Sequence, residues 1–304
     1  MLCLDDFHRV DWGDKGVFER YHARYPVYHS DQLFSTMMCW RGYMDYGVAE
    51  VDDHLLITTS RRGKRWFRPP VGELDRQVTS DLFELALKEG GKTPVTLVSE
   101  HVMGELKEIF PKLEFVPERD YFDYVYLSCD LADMPGKGYL KVRNQLNKFK
   151  KTYDHTVEDV NERNYPEVKE FIEEWCRLKD CESDPVLASE RDAVLFSIYN
   201  LFSLDLSSIC MRIDGEVKAV SVYEPMNHET AVVHYEKAMP TYQGIYQAIN
   251  NETAIRLKDR FRFINRESDM GVEGLRFAKE KYRPHHMEEV YSITRGSIQE
   301  ALQL

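Results

Sequence analysis

Residues 136–153 read GKGYLKVRNQLNKFKKTY, with six cations (Lys137, Lys141, Arg143, Lys148, Lys150, Lys151) and no acid among them. Tyr139, Val142, Leu146, Phe149 and Tyr153 recur at 3-4-3-4 spacing, the signature of a helix with one apolar face and basic flanks. Pro135 and Gly136 mark where it starts. This helix stands near the middle of the chain, and the order of elements after it repeats part of the order before it. The sequence therefore divides into a first unit (1–135), a basic connecting helix (136–154) and a second unit (155–304).

Around this stretch the chain is acidic. It has 304 residues and a formal net charge of −12, with 43% hydrophobic and 30% charged residues. The length suits two domains, and the apolar content is enough for packed cores, which excludes a disordered chain. Net acidity excludes a general nucleic-acid coat, because such affinity comes from Lys and Arg neutralising phosphates. It leaves room for one local basic groove. The start, MLCLDDFHRVDWGDKG, lacks the basic and apolar regions of a signal peptide, and the window from Val194 to Ile213 is too polar for a membrane span. The six cysteines (Cys3, Cys39, Cys129, Cys176, Cys181, Cys210) show no metal spacing. Reduced, mostly buried thiols in a cytoplasmic protein are expected, with no metal.

In the first half, residues 5–25 read as a loose helix and Met37–Thr59 as an antiparallel hairpin turning at Asp52-Asp53. Pro69 and Pro70 make Trp66–Glu73 a loop. A helix at Thr79–Lys88, a strand at Pro94–Ser99 and a helix at Val102–Phe110 follow, then Leu113–Val116 paired with Phe122–Leu127. Arg61, Arg62, Lys64, Arg65 and Arg68 read as a solvated hairpin edge.

In the second half, Asn164 with Glu167 gives a capping-box helix start. Helices are expected from there and over Arg191–Leu204. Asp214-Gly215 turns a hairpin between Ile209–Ile213 and Val217–Val222, and Thr230–Ala238 is a third strand. Its alternation places Val232, His234 and Glu236 on one side and Val233, Tyr235 and Lys237 on the other. A helix beginning near Ile245, a strand at Phe261–Glu267, a helix at Val272–Tyr282 and a strand at Met287–Thr294 complete the chain.

Two segments carry candidate chemistry. In Glu236–Glu252 a strand ends in a turn containing Gln243, Gly244 and Tyr246 and opens a helix, whose free N–H groups and dipole suit a phosphate or an oxyanion. The same turn also serves as a plain connection. Glu252 falls on the helix face of Ile245, Ala248, Ile249 and Ile255, so it needs a cavity or an ion pair, with Arg256 and Arg276 in reach. His234 and Glu236, on one strand face, suit a general base or sheet-edge hydrogen bonding. In Asn265–Lys281, Asn265, Glu267 and Asp269 crowd the end of a strand, and Arg276, Lys279 and Lys281 follow on a helix. Ligands of open sheets sit at such strand ends, and a cation there can stabilise a tetrahedral oxyanion. GxSxG, HExxH, GxxxxGK[ST] and GxGxxG are all absent.

Taken in order, KVRNQLNKFKKTY (141–153), EKAMPTYQGIYQAINNETA (236–254) and NRESDMGVEGLRFAKEKYRP (265–284) resemble the family related to the C-terminal domain of phosphatidylglycerol lysyltransferase. The resemblance implies an α/β fold with mixed sheets, built from two tandem GNAT-like (acyl-CoA N-acyltransferase) units. It also implies aminoacyl transfer from aminoacyl-tRNA, as in the lysyltransferases and the more distant Fem peptidyltransferases. Ala278–Tyr282 occupies the family's FK-x-x-F-like position, which carries over a catalytic role to Lys279.

The expected function is an acyl or aminoacyl transferase acting on a small-molecule or peptide amine or hydroxyl. Glu236 would take the acceptor's proton, Lys279 would stabilise the oxyanion, and Gln243–Tyr246 would hold the donor. Lys141, Arg143, Lys148, Lys150 and Lys151 are the candidate site for the tRNA acceptor end. The sequence singles out no resident cofactor; aminoacyl-tRNA or acyl-CoA is the donor co-substrate. An acyl-CoA N-acyltransferase and a non-catalytic binding module on the same fold are the alternatives.

Overall fold

The computed structural model describes residues 2–178 and 185–303, so Cys181 lies outside the described residues. In chain order come β1 (His8–Arg9), α1 (Lys15–Arg24), α2 (Phe34–Trp40), β2 (Asp45–Val51), β3 (His54–Arg61), β4 (Lys64–Phe67), α3 (Arg76–Glu89), β5 (Val95–Ser99), α4 (Glu100–Ile109) and β6 (Phe115–Pro117). Then follow β7 (Asp123–Leu127), α5 (Ser128–Asp133), α6 (Leu140–Thr152), β8 (His155–Asp159), α7 (Tyr165–Leu178), α8 (Pro185–Tyr199), β9 (Ser207–Ile213), β10 (Glu216–Pro225) and β11 (Thr230–Ala238). The chain ends with α9 (Ile245–Leu257), β12 (Phe263–Asn265), α10 (Glu273–Glu280), β13 (His286–Glu288), β14 (Val290–Ile293) and α11 (Arg295–Leu302).

Two seven-stranded mixed sheets result, ordered β1-β2-β3-β4-β5-β14-β6 and β13-β7-β12-β11-β10-β9-β8. Read from β8, the second has the same plan as the first, with a parallel pair in the middle (β4–β5, β11–β12). Each sheet borrows one strand from the far part of the sequence. β14 pairs with β5 and β6 in the first, and β7 pairs with β12 in the second. The compact units are therefore Met1–Phe122 with Glu288–Leu304, and Asp123–Met287. The sequence boundaries at 135/136 and 154/155 fall elsewhere, because strand pairing rather than the basic helix sets the division.

Other expectations change for similar reasons. Leu113–Val116 and Phe122–Leu127 do not pair with each other; β6 joins β14 and β7 joins β12. Met37–Trp40 is helical, within α2. Arg68 is not a solvated edge residue: it is 4% exposed and donates to the Asp31 carbonyl. The α7 start at Asn164 holds, but the Glu167 carboxylate goes to Arg212 instead of closing a capping box. Of the described cysteines only Cys176 and Cys210 are buried, whereas Cys3 and Cys129 are exposed.

The first unit's core gathers Phe67, Leu82, Phe83, Val98, Leu106 and Ile293 between its sheet and helices. In the second, Val142, Leu146 and Phe149 of α6 pack with Ile245, Ala248 and Ile249 of α9 against the sheet. Removing a buried Leu or Phe side chain from water contributes about 1.5–3 kcal/mol, so this stripe anchors α6 to the second unit's core. The basic helix is an integral layer of the second unit.

Candidate active site where two parallel strands diverge

β11 and β12 run parallel over Thr230–Val232 and Phe263–Asn265 and then part. Two features cause the parting. Opposite β10 the register skips His234, with Tyr223 facing Val233 and Val222 facing Tyr235, which is a β-bulge. After β12 the chain turns away through Glu267 and Met270, both at positive φ, and Gly271. The bulge flips the alternation expected from sequence. Val233 and Ala238 face the α6/α9 core together, Glu236 reaches Asn250 of α9, and His234 does not share the Glu236 face.

Charged side chains fill the opening. At its base a Glu236 oxygen accepts from Arg266 Nη2 at 2.7 Å and the other from Asn250 Nδ2 at 3.1 Å, with the Glu236 side chain only 5% exposed. From the other strand face, His234 bonds Glu267 through Nδ1 at 2.9 Å and Glu224 through Nε2 at 2.8 Å. Burial by itself lowers the imidazole pKa, but the two carboxylates outweigh it and raise it to about 10. The two carboxylates thus favour the imidazolium form of His234, which works against a general-base role.

The turn after β12 is held from all sides. The Asn265 amide donates to Asp123 at 2.9 Å while its oxygen accepts from the Glu267 N–H at 2.7 Å. Asp269, fully buried, accepts from Tyr124 at 2.6 Å, from the Gly271 N–H at 2.9 Å and from Arg276 through two bonds of 3.0 Å. Burial raises the Asp269 pKa, but these bonds outweigh it and hold the carboxyl well below the usual range. Lys279 Nζ donates to the carbonyls of Arg266, Glu267 (3.0 Å) and Ser268 (2.8 Å). All three ammonium hydrogens are engaged, and burial lowers the pKa of the group to about 8. In this state Lys279 supports the turn and has no hydrogen left for an oxyanion.

His234, Asn265, Glu267, Asp269, Arg276 and Lys279 therefore all engage the turn after β12, and Glu236 is tied to the same turn through Arg266. The candidates Gln243, Gly244, Tyr246 and Glu252 are placed differently. Gln243 is exposed, and Tyr246 donates to the Ala238 carbonyl at 3.1 Å. Gly244, at φ +91, lies against α6: a β-carbon there would sit 2.7 Å from the Gln145 carbonyl and 3.0 Å from the Phe149 β-carbon. The glycine serves helix packing. Glu252 pairs with Lys150 at 3.7 Å rather than with Arg256, which binds Asp159, or Arg276. Ile255 of its expected apolar face is exposed.

On α6, Arg143 donates to the Met134 and Gly136 carbonyls, and Lys150 is taken by Asn251 and Glu252. Lys141, Lys148 and Lys151 are exposed. Sequence reading missed Glu224, Arg266, Asn250, Asp123 and Tyr124. Arg266 stands inside the polar stretch 265–281, but Asp123 and Tyr124 arrive on β7 from about 140 residues away, with no local signal.

Among the described residues, no cluster of His, Cys, Asp and Glu could hold a metal, and no helix is long and apolar enough to cross a membrane. Residues 22–294 match the family described as phosphatidylglycerol lysyltransferase, C-terminal. A conserved protein of unknown function from Bacteroides thetaiotaomicron is similar throughout, at 29% identity and a TM-score of 0.84 over 95% of this chain and 98% of that one. The L-PGS structure from Bacillus licheniformis shares the fold at 13% identity and a TM-score of 0.62, covering 95% and 96% of the two chains. FemX shares it at 9% identity and a TM-score of 0.53, covering 98% and 100%. These likenesses establish a shared α/β fold, here built on two mixed sheets. The curated proteins gave no match.

Proposed function

The chain belongs to the family of the phosphatidylglycerol lysyltransferase C-terminal domain, and on that premise we propose that it is an aminoacyl transferase working at the divergence of β11 and β12. The observation that carries this is the buried Glu236–Arg266 pair at the ends of two parallel strands, where open sheets bind ligands. The acceptor amine or hydroxyl attacks the ester carbonyl of the donor. Glu236 takes the proton lost by the acceptor and gives it to the departing ester oxygen, so the carrier leaves with a free hydroxyl and the carboxylate is restored. Arg266 fixes the carboxylate in place.

Aminoacyl-tRNA suits this unit as the donor. Lys141, Lys148 and Lys151 form a cationic side of α6 that is open to phosphates. The acyl-CoA reading loses support at the Gly244 turn, where Gln145 and Phe149 fill the space beside the glycine.

The test is protein-dependent loss of aminoacyl ester from a mixed aminoacyl-tRNA pool, in the presence of small amines, for wild type and Glu236→Gln. Transfer by the wild type, reduced about 10²-fold in the variant, is expected. No transfer from any aminoacyl-tRNA, together with saturable thermal stabilisation by acetyl-CoA, would replace this reading with the acyl-CoA one.

A further inference from the structure

The two sheets share a plan, but the gap beyond the central parallel pair is treated differently in each. In the second unit it is bridged by Glu236–Arg266 and His234–Glu267. In the first, β4 and β5 share a single pair, Phe67 with Val95. Pro69 and Pro70 have no N–H to extend the ladder. In β5, Leu97 takes φ +56, a left-handed conformation that is costly for a buried leucine and persists only where the surroundings impose it. Between the parted strands lies a cavity of about 270 Å³, walled by Pro70, Val71, Leu97 and Val102, with Gln32 and Ser99 among its polar lining.

The ionisable side chains at this cavity already have partners within the protein: Arg24 pairs with Asp53 at 3.0 Å, and the Glu105 carboxylate lies 3.2 Å from His101 Nε2. The His22 ring, also lining it, stays neutral because burial lowers its pKa to about 4. A charged group would lose its hydration against the proline and aliphatic walls, with Arg24 and Glu105 already engaged by Asp53 and His101. An apolar body would gain from the proline and aliphatic walls, and one neutral polar group could meet Ser99 or Gln32.

We propose that the first unit carries a second ligand site in this cavity, for an uncharged, largely apolar small molecule with a single hydroxyl or amide. It is separate from the site in the second unit and does not depend on that site's chemistry.

The experiment titrates the full chain, labelled at Leu and Val methyls, with n-hexanol, hexanoate and hexylammonium. Saturable shifts confined to the Val71, Leu97 and Val102 methyls are expected with hexanol, and affinity at least about tenfold weaker with either charged analogue. Val102→Trp, which fills the space, should abolish the hexanol shifts. Val71→Phe replaces it if that variant does not fold. The proposal fails if hexanol gives no saturable shift up to its solubility limit, if hexanoate or hexylammonium binds as tightly, or if the filled variant still responds.

Discussion

Gly244 approaches Gln145 so closely that a β-carbon on the glycine would lie 2.7 Å from the Gln145 carbonyl oxygen. The turn that opens α9 is thereby joined to α6, and the glycine is required twice, for this approach and for φ +91. Gly244→Ala should cost about 1–2 kcal/mol for the left-handed backbone and about 1–3 kcal/mol more for the overlap. Gly215→Ala is the control, since Gly215 has φ +83 with nothing within 4 Å of a β-carbon. It should show the backbone cost alone. Urea unfolding of the two variants checks this, and equal losses would mean that α6 gives way without cost.

His234 predicts a pH dependence. Its folded pKa, about 10, lies above the unfolded 6.5, so the folded state binds the extra proton between those values. The stability it contributes is fully present below about pH 6.5 and is lost as pH rises towards 10, at up to about 1.4 kcal/mol per pH unit. The stability difference between wild type and His234→Gln should therefore shrink across that interval. The ¹⁵N shifts of the ring should report an imidazolium at pH 8. A neutral ring at pH 8 would remove the double-carboxylate clamp.

For Lys279 the sign is opposite. Its folded pKa, about 8, lies below 10.5, so the folded state binds fewer protons between these values and gains stability with rising pH there. Between about pH 8 and 10 this offsets the loss at His234, and the combined dependence flattens. Lys279→Met leaves three carbonyls without their donor, at about 1–3 kcal/mol for each one left unsatisfied. It should also free Glu267 to move from His234, lowering the imidazolium pKa seen by NMR. An unchanged His234 pKa with turnover reduced about 10²-fold would instead indicate a direct oxyanion contact.

The turn in NRESDMG and the helix after it were legible because polar residues crowd a strand end just where a glycine redirects the chain. What each residue does there was not. Period-two alternation put His234 with Glu236, and one extra residue in β11 undid that pairing. Asp123 and Tyr124 looked like part of a local hairpin, and only the sheet order shows them behind Asn265 and Asp269. Long-range pairing leaves no periodic trace in either partner. The apolar stripe of α6 was legible, since Val142, Leu146 and Phe149 are all buried. Which cations the protein itself would engage could be seen only once α9 and the end of α5 were in place.

That division makes a prediction about RNA. Lys148, Lys150 and Lys151 are all exposed on α6, but Lys150 is engaged by Asn251 and Glu252, and Arg143 by the Met134 and Gly136 carbonyls. Lys148→Glu with Lys151→Glu should weaken tRNA binding, measured by fluorescence anisotropy. The slope of log affinity against log salt should fall by about 0.7–0.9 for each phosphate that is no longer neutralised. Lys150→Ala should leave that slope unchanged, because its charge is already matched by Glu252. The pair of results isolates phosphate binding from general charge: both variants remove positive charge from the same helix, and only one removes cations that have no acidic partner among the described residues. Equal slopes for wild type and the double reversal would exclude this side of α6 from tRNA binding.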